Sequence, residues 1–336
     1  MILSRVVTIC LLAFAAGTAG KAFAGQLTLA AVNGADLTGV GKKKLHAISS
    51  RQKRPQALVI KAQVLLDRAG FSSGVIDGRV GENFANAVRA FQEQNGLKPS
   101  GDLDAPTWAR LVATSVEPVL AEHVITADEA KGPFVAEIPG NLEKKAELKR
   151  LAYTGPAELL AEKFHLDEDL LAELNRGKSL EQAGASILIA SVPQAPPKAQ
   201  VVRVVVEKAK HSVRAFDREG KLVGFYPASI GSDEKPAPTG RLKITRVVRD
   251  PPYTYNPEFR FRGVNAHSKL KIAPGPNNPV GAVWMNLNEQ SYGIHGTAEP
   301  TEVGKAGSHG CVRMTNWDAL TLAAMVRKGT IVEFVD

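Results

Sequence analysis

The stretch SHGCVR at residues 308–313, preceded by YGIHGT at residues 292–297, carries the most information in this sequence. It contains Cys311, and the other cysteine of the chain, Cys10, lies in a segment that we expect to be removed. Cys311 then stands as a single thiol close in sequence to His295 and His309. Such a cysteine is a candidate nucleophile, because an imidazole can take up the thiol proton and leave the reactive thiolate.

Three interpretations of Cys311 follow from spacing alone. In the first, Cys311 and a histidine catalyse acyl transfer, and Gly296 and Gly310 let backbone N–H groups face a developing oxyanion. In the second, Cys311 is a buried structural cysteine beside a hydrogen-bonded histidine. In the third, His295, His309 and Cys311 bind a metal ion, although no CxxC or HxxxH spacing supports that site.

The N-terminus has the pattern of a secretory signal peptide over residues 1–24. Arg5 supplies a positive charge, residues 6–16 form an apolar run too short for a membrane span, and AFA at residues 22–24 offers a cleavage site. A retained anchor is the alternative. Export predicts a periplasmic, cell-wall-associated protein, with no transmembrane segment after signal cleavage.

The formal net charge of +8 stays positive after loss of Arg5 and Lys21. In an exported protein such a charge favours an anionic polymer or surface over nucleic acid as the partner. One remaining cysteine cannot form an internal disulfide, so stability must come from apolar burial. The basic segment 25–55 is interpreted as a flexible leader, either attracted to anionic envelope polymers or acting as a solvated tether.

A small helical module is predicted over residues 56–112. Apolar residues at helical spacing place one helix before Gly70 and a second before Gly96, and Asp104 can cap a third. The module resembles the peptidoglycan-binding type 1 family in VIDG at residues 75–78, AVRAFQ at 87–92, NGL at 95–97 and TW at 107–108. The resemblance implies binding to cell-wall glycopeptide. The alternative is that these residues only specify the three-helix core.

Residues 113–149 are poorly periodic and are interpreted as a linker, with a helix near residues 143–151. Helices at residues 159–165 and 170–175 and a strand at 187–192 are predicted next. The region 150–193 resembles a degenerate LysM module, which implies glycan binding; a plain spacer domain is the alternative.

Pro193, Pro196 and Pro197 predict a stiff hinge at residues 194–200, and the pattern beyond it is that of β-strands. One late helix is predicted at residues 316–328, capped by Thr315. We therefore expect a multidomain α+β protein with a mainly-β, sandwich-like catalytic domain at residues 201–336. Its predicted strands are 201–206, 222–230, 242–248, 283–287 and 330–335.

The region 201–336 resembles the L,D-transpeptidase (YkuD) family in SHGCVR, YGIHGT, PTG at residues 238–240 and PGP at 274–276. The resemblance implies cleavage of the L,D bond in a peptidoglycan tetrapeptide through a cysteine acyl-enzyme. D-alanine is released, and the acyl group passes to an amine such as a diaminopimelate side chain. The implied partners are the donor and acceptor stems or an outer-membrane lipoprotein acceptor, without cofactor or nucleic acid.

Roles for single residues also follow from the resemblance. It implies Cys311 as nucleophile and His295 as general base, then acid, with the carbonyl of Gly296 orienting the His295 ring. His309 is implied to shape the site. The N–H groups of Gly310 and Cys311 are implied to form the oxyanion hole.

Three further residues are predicted on the substrate side of the site. Arg313 holds a substrate carboxylate or forms a salt bridge within the fold. Tyr292 contacts the substrate or belongs to the core. Ser308 supports the loop before Cys311 rather than reacting.

Two other functions remain open from the sequence. A hydrolase would share all chemistry up to the thioester, and only the exclusion of water and an acceptor site would separate it from a transferase. A wall-binding protein with an inactive catalytic domain is the third candidate. The presence of Cys311 and His295 speaks against it.

Overall fold

The computed structural model of the protein describes residues 27–37, 56–231, 236–258, 266–305 and 310–336. The predicted signal peptide and residues 38–55 of the basic leader lie outside these ranges. The prediction of a flexible leader is wrong for residues 27–37, where helix α1 (Leu29–Asn33) packs against helix α2 (Ala57–Arg68). Val32 is fully buried there, and Asn33 exchanges two hydrogen bonds with the backbone of Leu120. Burial and hydrogen bonding thus order this stretch.

The predicted three-helix module is confirmed. It contains α2, α3 (Glu82–Gln94) and α4 (Ala105–Val112). Gly70 follows α2 with a φ of 83°, in the left-handed region that favours glycine at helix ends. The Asp104 carboxylate caps α4 by accepting a 3.0 Å hydrogen bond from the N–H of Thr107.

The predicted linker contains regular structure. Strand β1 (Leu120–Val124) pairs with β2 (Ser186–Ala190) in an antiparallel two-stranded sheet. Four helices lie between them: α5 (Ala127–Lys131), α6 (Leu142–Glu147), α7 (Pro156–Lys163) and α8 (Glu168–Leu174). The linker interpretation is therefore wrong over residues 120–131, because β1 obtains its hydrogen bonds from a partner far along the chain. The LysM resemblance stays a prediction.

A single hydrophobic core serves this whole N-terminal half. Residues of α2, α3 and α4 share a buried cluster with residues of α7, α8 and both strands of the small sheet. The cluster also includes Leu222 and Phe225, which lie beyond the predicted hinge. The two predicted modules thus pack as one body, and that body reaches into the C-terminal half.

The C-terminal half is built on one nine-stranded sheet among the described residues, in the order β5-β4-β3-β13-β7-β10-β11-β12-β6. The strands of this half are β3 (Arg203–Glu207), β4 (Ser212–Phe216), β5 (Leu222–Pro227), β6 (Ser229–Ile230), β7 (Gly240–Arg249), β8 (Tyr253–Tyr255), β9 (Leu270–Ile272), β10 (Val283–Leu287), β11 (Gly293–His295), β12 (Val312–Arg313) and β13 (Ile331–Val335). Strands β8 and β9 form a separate antiparallel pair. The α+β class expected from the sequence is confirmed.

Strand β7 joins the two parts of the large sheet. Its first residues, 240–243, pair with β13, whereas residues 244–249 pair with β10. A strand that changes neighbours along its length lets a sheet fold over a core, as sandwich packing requires. The core of this half includes Val204, Ile244 and Leu322.

The late helix α9 (Asn316–Met325) begins where the Thr315 cap predicts but ends three residues before the predicted Lys328. The reason is that Val326 is extended and the carbonyl of Met325 accepts a hydrogen bond from the N–H of Val201. All helices in the described ranges are short, the longest being the 13 residues of α3. None of them is both long and apolar enough to cross a membrane.

Candidate active site

Two neighbouring strands bring the predicted catalytic residues together. β11 and β12 are parallel, with Ile294 opposite Val312 and His295 opposite Arg313. Cys311 directly precedes β12. Because side chains alternate along a strand, positions 311 and 313 project to the same side as His295. The N–H of Met314 donates to the carbonyl of His295 at 2.9 Å and fixes the two strand ends together.

His295 is held in one orientation. Its Nδ1 atom lies 2.6 Å from the carbonyl oxygen of Gly296, and its ring stacks on Trp284 with centroids 5.3 Å apart. A carbonyl only accepts, so Nδ1 carries the proton and Nε2 keeps its lone pair. Burial lowers the pKa of His295 to about 4, the Gly296 carbonyl opposes this shift, and the charge of Arg313 adds to it. The imidazole is therefore neutral near pH 7 and able to accept a proton.

Cys311 is partly exposed, so its thiol is accessible from outside the protein. Its Sγ atom lies 3.6 Å from the carbonyl oxygen of Ser291, and its own carbonyl accepts a hydrogen bond from the N–H of Gly231. Gly310 has a φ of 90°, which a side chain at this position would strain. The backbone conformation at position 310, directly before Cys311, thus favours glycine.

Tyr253 is a neighbour of the thiol that the sequence did not reveal. It lies on β8, which pairs antiparallel with β9. Burial raises the pKa of Tyr253 to about 12, and the nearby Cys311 contributes to the increase. The only sequence signal was the spacing of Tyr253 and Tyr255 two residues apart, a segment too short to predict a strand.

The predicted substrate-side residues have contacts within the fold. Arg313 Nη1 lies 3.9 Å from a carboxylate oxygen of Glu299, which fits the salt-bridge alternative without excluding a substrate contact. Tyr292 packs against the C-terminal core, and its hydroxyl donates to the carbonyl of Pro236 at 3.3 Å. His309 and Ser308 lie outside the described residues, so their predicted roles stay predictions.

Asn316 is a second residue that sequence reasoning missed. Its Oδ1 accepts hydrogen bonds from the N–H groups of Ala282, at 2.9 Å, and Thr297, at 3.1 Å. A Cβ added at Gly281 or at Gly296 would lie 2.1 Å from this oxygen. The buried amide thus fits between two glycine backbones and fixes the segment that orients His295. No feature of the sequence distinguishes Asn316 from other asparagines in the first turn of a helix.

The metal alternative gains no support from the described side chains. Within the ranges that the structure covers, no group of three His, Cys, Asp or Glu residues is placed to hold a metal ion. One of the three ligands of that alternative, His309, lies outside these ranges.

Comparison with known proteins identifies two regions of the chain. Residues 201–334 match the L,D-transpeptidase catalytic domain (YkuD), and residues 55–111 match a putative peptidoglycan binding domain. A putative L,D-transpeptidase YkuD of Bacillus licheniformis is 33% identical over 177 residues, which is 52% of this chain and 90% of the relative. The chain therefore belongs to the L,D-transpeptidase YkuD family.

More distant relatives match a smaller share of their own length. A probable L,D-transpeptidase YbiS of Escherichia coli K12 is 27% identical over 54% of this chain and 61% of its own length. An L,D-transpeptidase 3 structure from Mycobacterium tuberculosis is 14% identical, with a TM-score of 0.34, over 48% of this chain and 79% of that one. The chain spans about half, 52%, of a solved avibactam carbamoyl enzyme, with 19% identity, 44% coverage of this chain and a TM-score of 0.32. The family assignment rests on the sequence matches.

Proposed function

We propose that this protein is a peptidoglycan L,D-transpeptidase in which Cys311 is the nucleophile and His295 the general base. The observation that carries the proposal is the hydrogen bond between His295 Nδ1 and the Gly296 carbonyl, beside a partly exposed thiol. That bond leaves Nε2 as the proton acceptor. A positioned base and an accessible thiol are the minimum for acyl transfer through a thioester.

The first half-reaction forms the acyl-enzyme. His295 Nε2 takes the Cys311 proton, and the thiolate attacks the carbonyl of the third residue of a tetrapeptide stem. The N–H groups of Gly310 and Cys311 stabilise the oxyanion of the tetrahedral intermediate. The C–N bond then breaks, and the departing D-alanine amine receives the proton from His295.

The second half-reaction transfers the acyl group. An acceptor amine attacks the thioester carbonyl and gives a proton to His295 Nε2. The C–S bond breaks, and the Cys311 thiolate is reprotonated by His295, which restores the resting enzyme. The acceptor chemistry that we propose is a primary amine, supplied by a diaminopimelate side chain of a neighbouring stem or by an outer-membrane lipoprotein.

We propose that the antiparallel pair of strands β8 and β9 favours transfer over hydrolysis. Tyr253 is half-buried near Cys311, and a side chain that packs against the thioester would reduce access of water. Strands β8 and β9 lie in the same half of the chain as Cys311. A wall peptide bound at this half would therefore displace water from Cys311 and from the two strands.

We further propose that the protein acts in the periplasm on the intact wall and contributes to wall cross-linking and cell shape. The signal-like N-terminus, the positive charge and the match to a peptidoglycan binding domain support this location. The N-terminal half would concentrate the catalytic site on the polymer by adding a second point of attachment.

Incubation of the purified protein with a defined disaccharide tetrapeptide and an amine acceptor tests the proposal. Mass analysis should reveal D-alanine release and a product joined through the third residue of the donor. Release of D-alanine with only a free tripeptide product would favour the hydrolase. No reaction of the folded, reduced protein with any wall fragment would contradict both enzymes.

A further inference from the structure

A carboxylate of the N-terminal half contacts the C-terminal half. Glu162, near the end of α7, accepts hydrogen bonds from Asn316 Nδ2 at 3.1 Å on Oε1 and 3.0 Å on Oε2. The hydroxyl of Tyr153 also donates to Oε1, at 2.7 Å. A half-buried carboxylate with three hydrogen bonds costs free energy to desolvate, so such a group marks a place where orientation matters.

The partner of this carboxylate is the amide that supports the catalytic histidine. Asn316 Nδ2 faces Glu162, whereas Oδ1 of the same amide accepts from the N–H of Thr297. Thr297 directly follows Gly296, whose carbonyl orients His295. Glu162 and the carbonyl of Pro276, which accepts from the same Nδ2 at 3.2 Å, therefore both favour this orientation of the Asn316 amide, since the flipped amide would place oxygen against carboxylate.

We propose that Glu162 is a positioning residue for the transpeptidase reaction, acting through Asn316 on the segment that holds His295. The inference rests on the proposed function of His295 as general base. It means that the wall-binding half completes the catalytic site of the other half. Neither half then contains all the groups that orient the histidine.

The protein around Glu162 affects both its pKa and its access to solvent. Burial raises the pKa of Glu162 to about 7, with Glu158 adding to the increase and Tyr153, Asn316 and His165 opposing it. Glu162 also lines a cavity of about 430 Å³ between the halves, together with Lys163 and Arg249. The carboxylate is thus covered by protein on the side of Asn316, and its other side faces the cavity.

The chain offers a matched control on the same helix. Glu158 also joins the halves, because its Oε1 accepts a 2.6 Å hydrogen bond from Asn277 Nδ2. This carboxylate has no hydrogen bond with Asn316 among the described contacts. Glu158→Ala therefore removes a contact between the halves and a negative charge near Glu162, but leaves the hydrogen bonds between Glu162 and Asn316 in place.

The test uses the full chain and two readouts. Tetrapeptide turnover gives kcat and KM, and the rate of Cys311 alkylation by iodoacetamide reports how readily the thiol loses its proton, whatever the natural substrate. We expect Glu162→Ala to lower kcat and the alkylation rate at pH 7.5 by roughly tenfold, with KM within about twofold, as for a weakened general base. Glu162→Gln should recover most of the loss, since its amide oxygen can still accept from Asn316.

The double variant of Glu162→Ala with Asn316→Ala decides whether the two residues act as one unit. We expect it to be no slower than Asn316→Ala alone, because residues in one chain of contacts are not additive. Additive losses, an unchanged alkylation rate in Glu162→Ala, or an equal loss in Glu158→Ala at similar thermal stability would overturn the proposal. If the wild-type protein is alkylated but turns over no tetrapeptide, the proposed function fails while the alkylation rates still decide the role of Glu162.

Discussion

The hydroxyl of Ser72 donates a 3.0 Å hydrogen bond to Oδ2 of Asp318, and both residues are buried. Ser72 belongs to the loop after α2, and Asp318 lies in the first turn of α9, so the bond joins the wall-binding module to the helix behind the catalytic strands. Burial raises the pKa of Asp318 to about 7, and the negative charge of Asp67 adds to the increase. We therefore expect the stability of this junction to depend on pH.

Asp318→Asn should change how stability depends on pH. Because the folded-state pKa of Asp318 is raised from 3.8 to about 7, its stabilising contribution is present in acid and is lost as pH rises through 7. An amide does not titrate, so the variant should lose less stability than the wild type between pH 5 and pH 8. The difference in unfolding free energy should be on the order of 2 kcal/mol.

Thermal unfolding at both pH values checks this expectation. Asp169→Asn, an exposed carboxylate on α8, is the control and should follow the wild-type pH dependence. An Asp318→Asn curve parallel to that of the wild type would show that this carboxyl does not titrate at the junction.

Cys311→Ala should abolish covalent acylation and leave the fold intact. Within the described ranges, the thiol is the nucleophile that the strand pair presents next to His295, and its partial exposure limits the packing lost with it. Intact mass after incubation with a carbapenem, whose strained amide resembles the scissile bond, should increase by one drug in the wild type and not in the variant. A modified Cys311→Ala protein would mean that another residue attacks.

His295→Ala should lower kcat/KM by a factor on the order of 10² or more, as expected for loss of a positioned base. The neutral, Nδ1-protonated ring is the proton acceptor that we propose for the reaction. His123→Ala is the control, because His123 contacts Glu129 in the other half. Steady-state turnover of a tetrapeptide gives both values, and similar rates in the two variants would remove His295 from the mechanism.

Gly296→Ala should destabilise the fold and slow the reaction together. The added methyl group would lie 2.1 Å from Asn316 Oδ1, so the amide that holds the histidine segment must move. We expect a loss of roughly 1–3 kcal/mol in the free energy of unfolding, as for other overpacked positions. Denaturant titration should show little change for Gly140→Ala, where a methyl group meets nothing within 4 Å.

Replacing Lys42, Lys43 and Lys44 with Gln should weaken binding to purified sacculi at low salt and have little effect at high salt. The wall carries anionic groups, and attraction between exposed charges is screened within about 10 Å at 0.1 M salt. Sedimentation of the full chain with sacculi at two salt concentrations measures this. Equal pelleting of both proteins at every concentration would leave the basic segment as a tether.

Local signals allowed much of this fold to be predicted. The Asp104 and Thr315 caps and the glycine after α2 each act on neighbouring residues, so their positions in sequence sufficed. Strand β1 was missed because only Leu120 of its five residues is buried and its partner follows four intervening helices. Its short segment has no periodicity of its own.

The same distinction applies to the site. Cys311 and His295 were predictable as candidates because their motifs surround them, and the structure places His295 on β11 and Cys311 directly before the neighbouring β12. Glu162 and Asn316 were not, since their contact joins residues 154 positions apart and depends on how two cores pack. Side chains that support a reacting group are selected by three-dimensional contact and leave little trace in the sequence.

Leu222 and Phe225 of strand β5 belong to the core of the N-terminal half. These two side chains therefore constrain the natural exchange of this N-terminal half for a wall-binding module of another enzyme. A replacement module would have to bring surfaces that cover these two side chains, or the recombinant protein would expose apolar area and aggregate. Successful grafts in this branch of the family should thus inherit strand β5 and its attached module as one evolutionary unit.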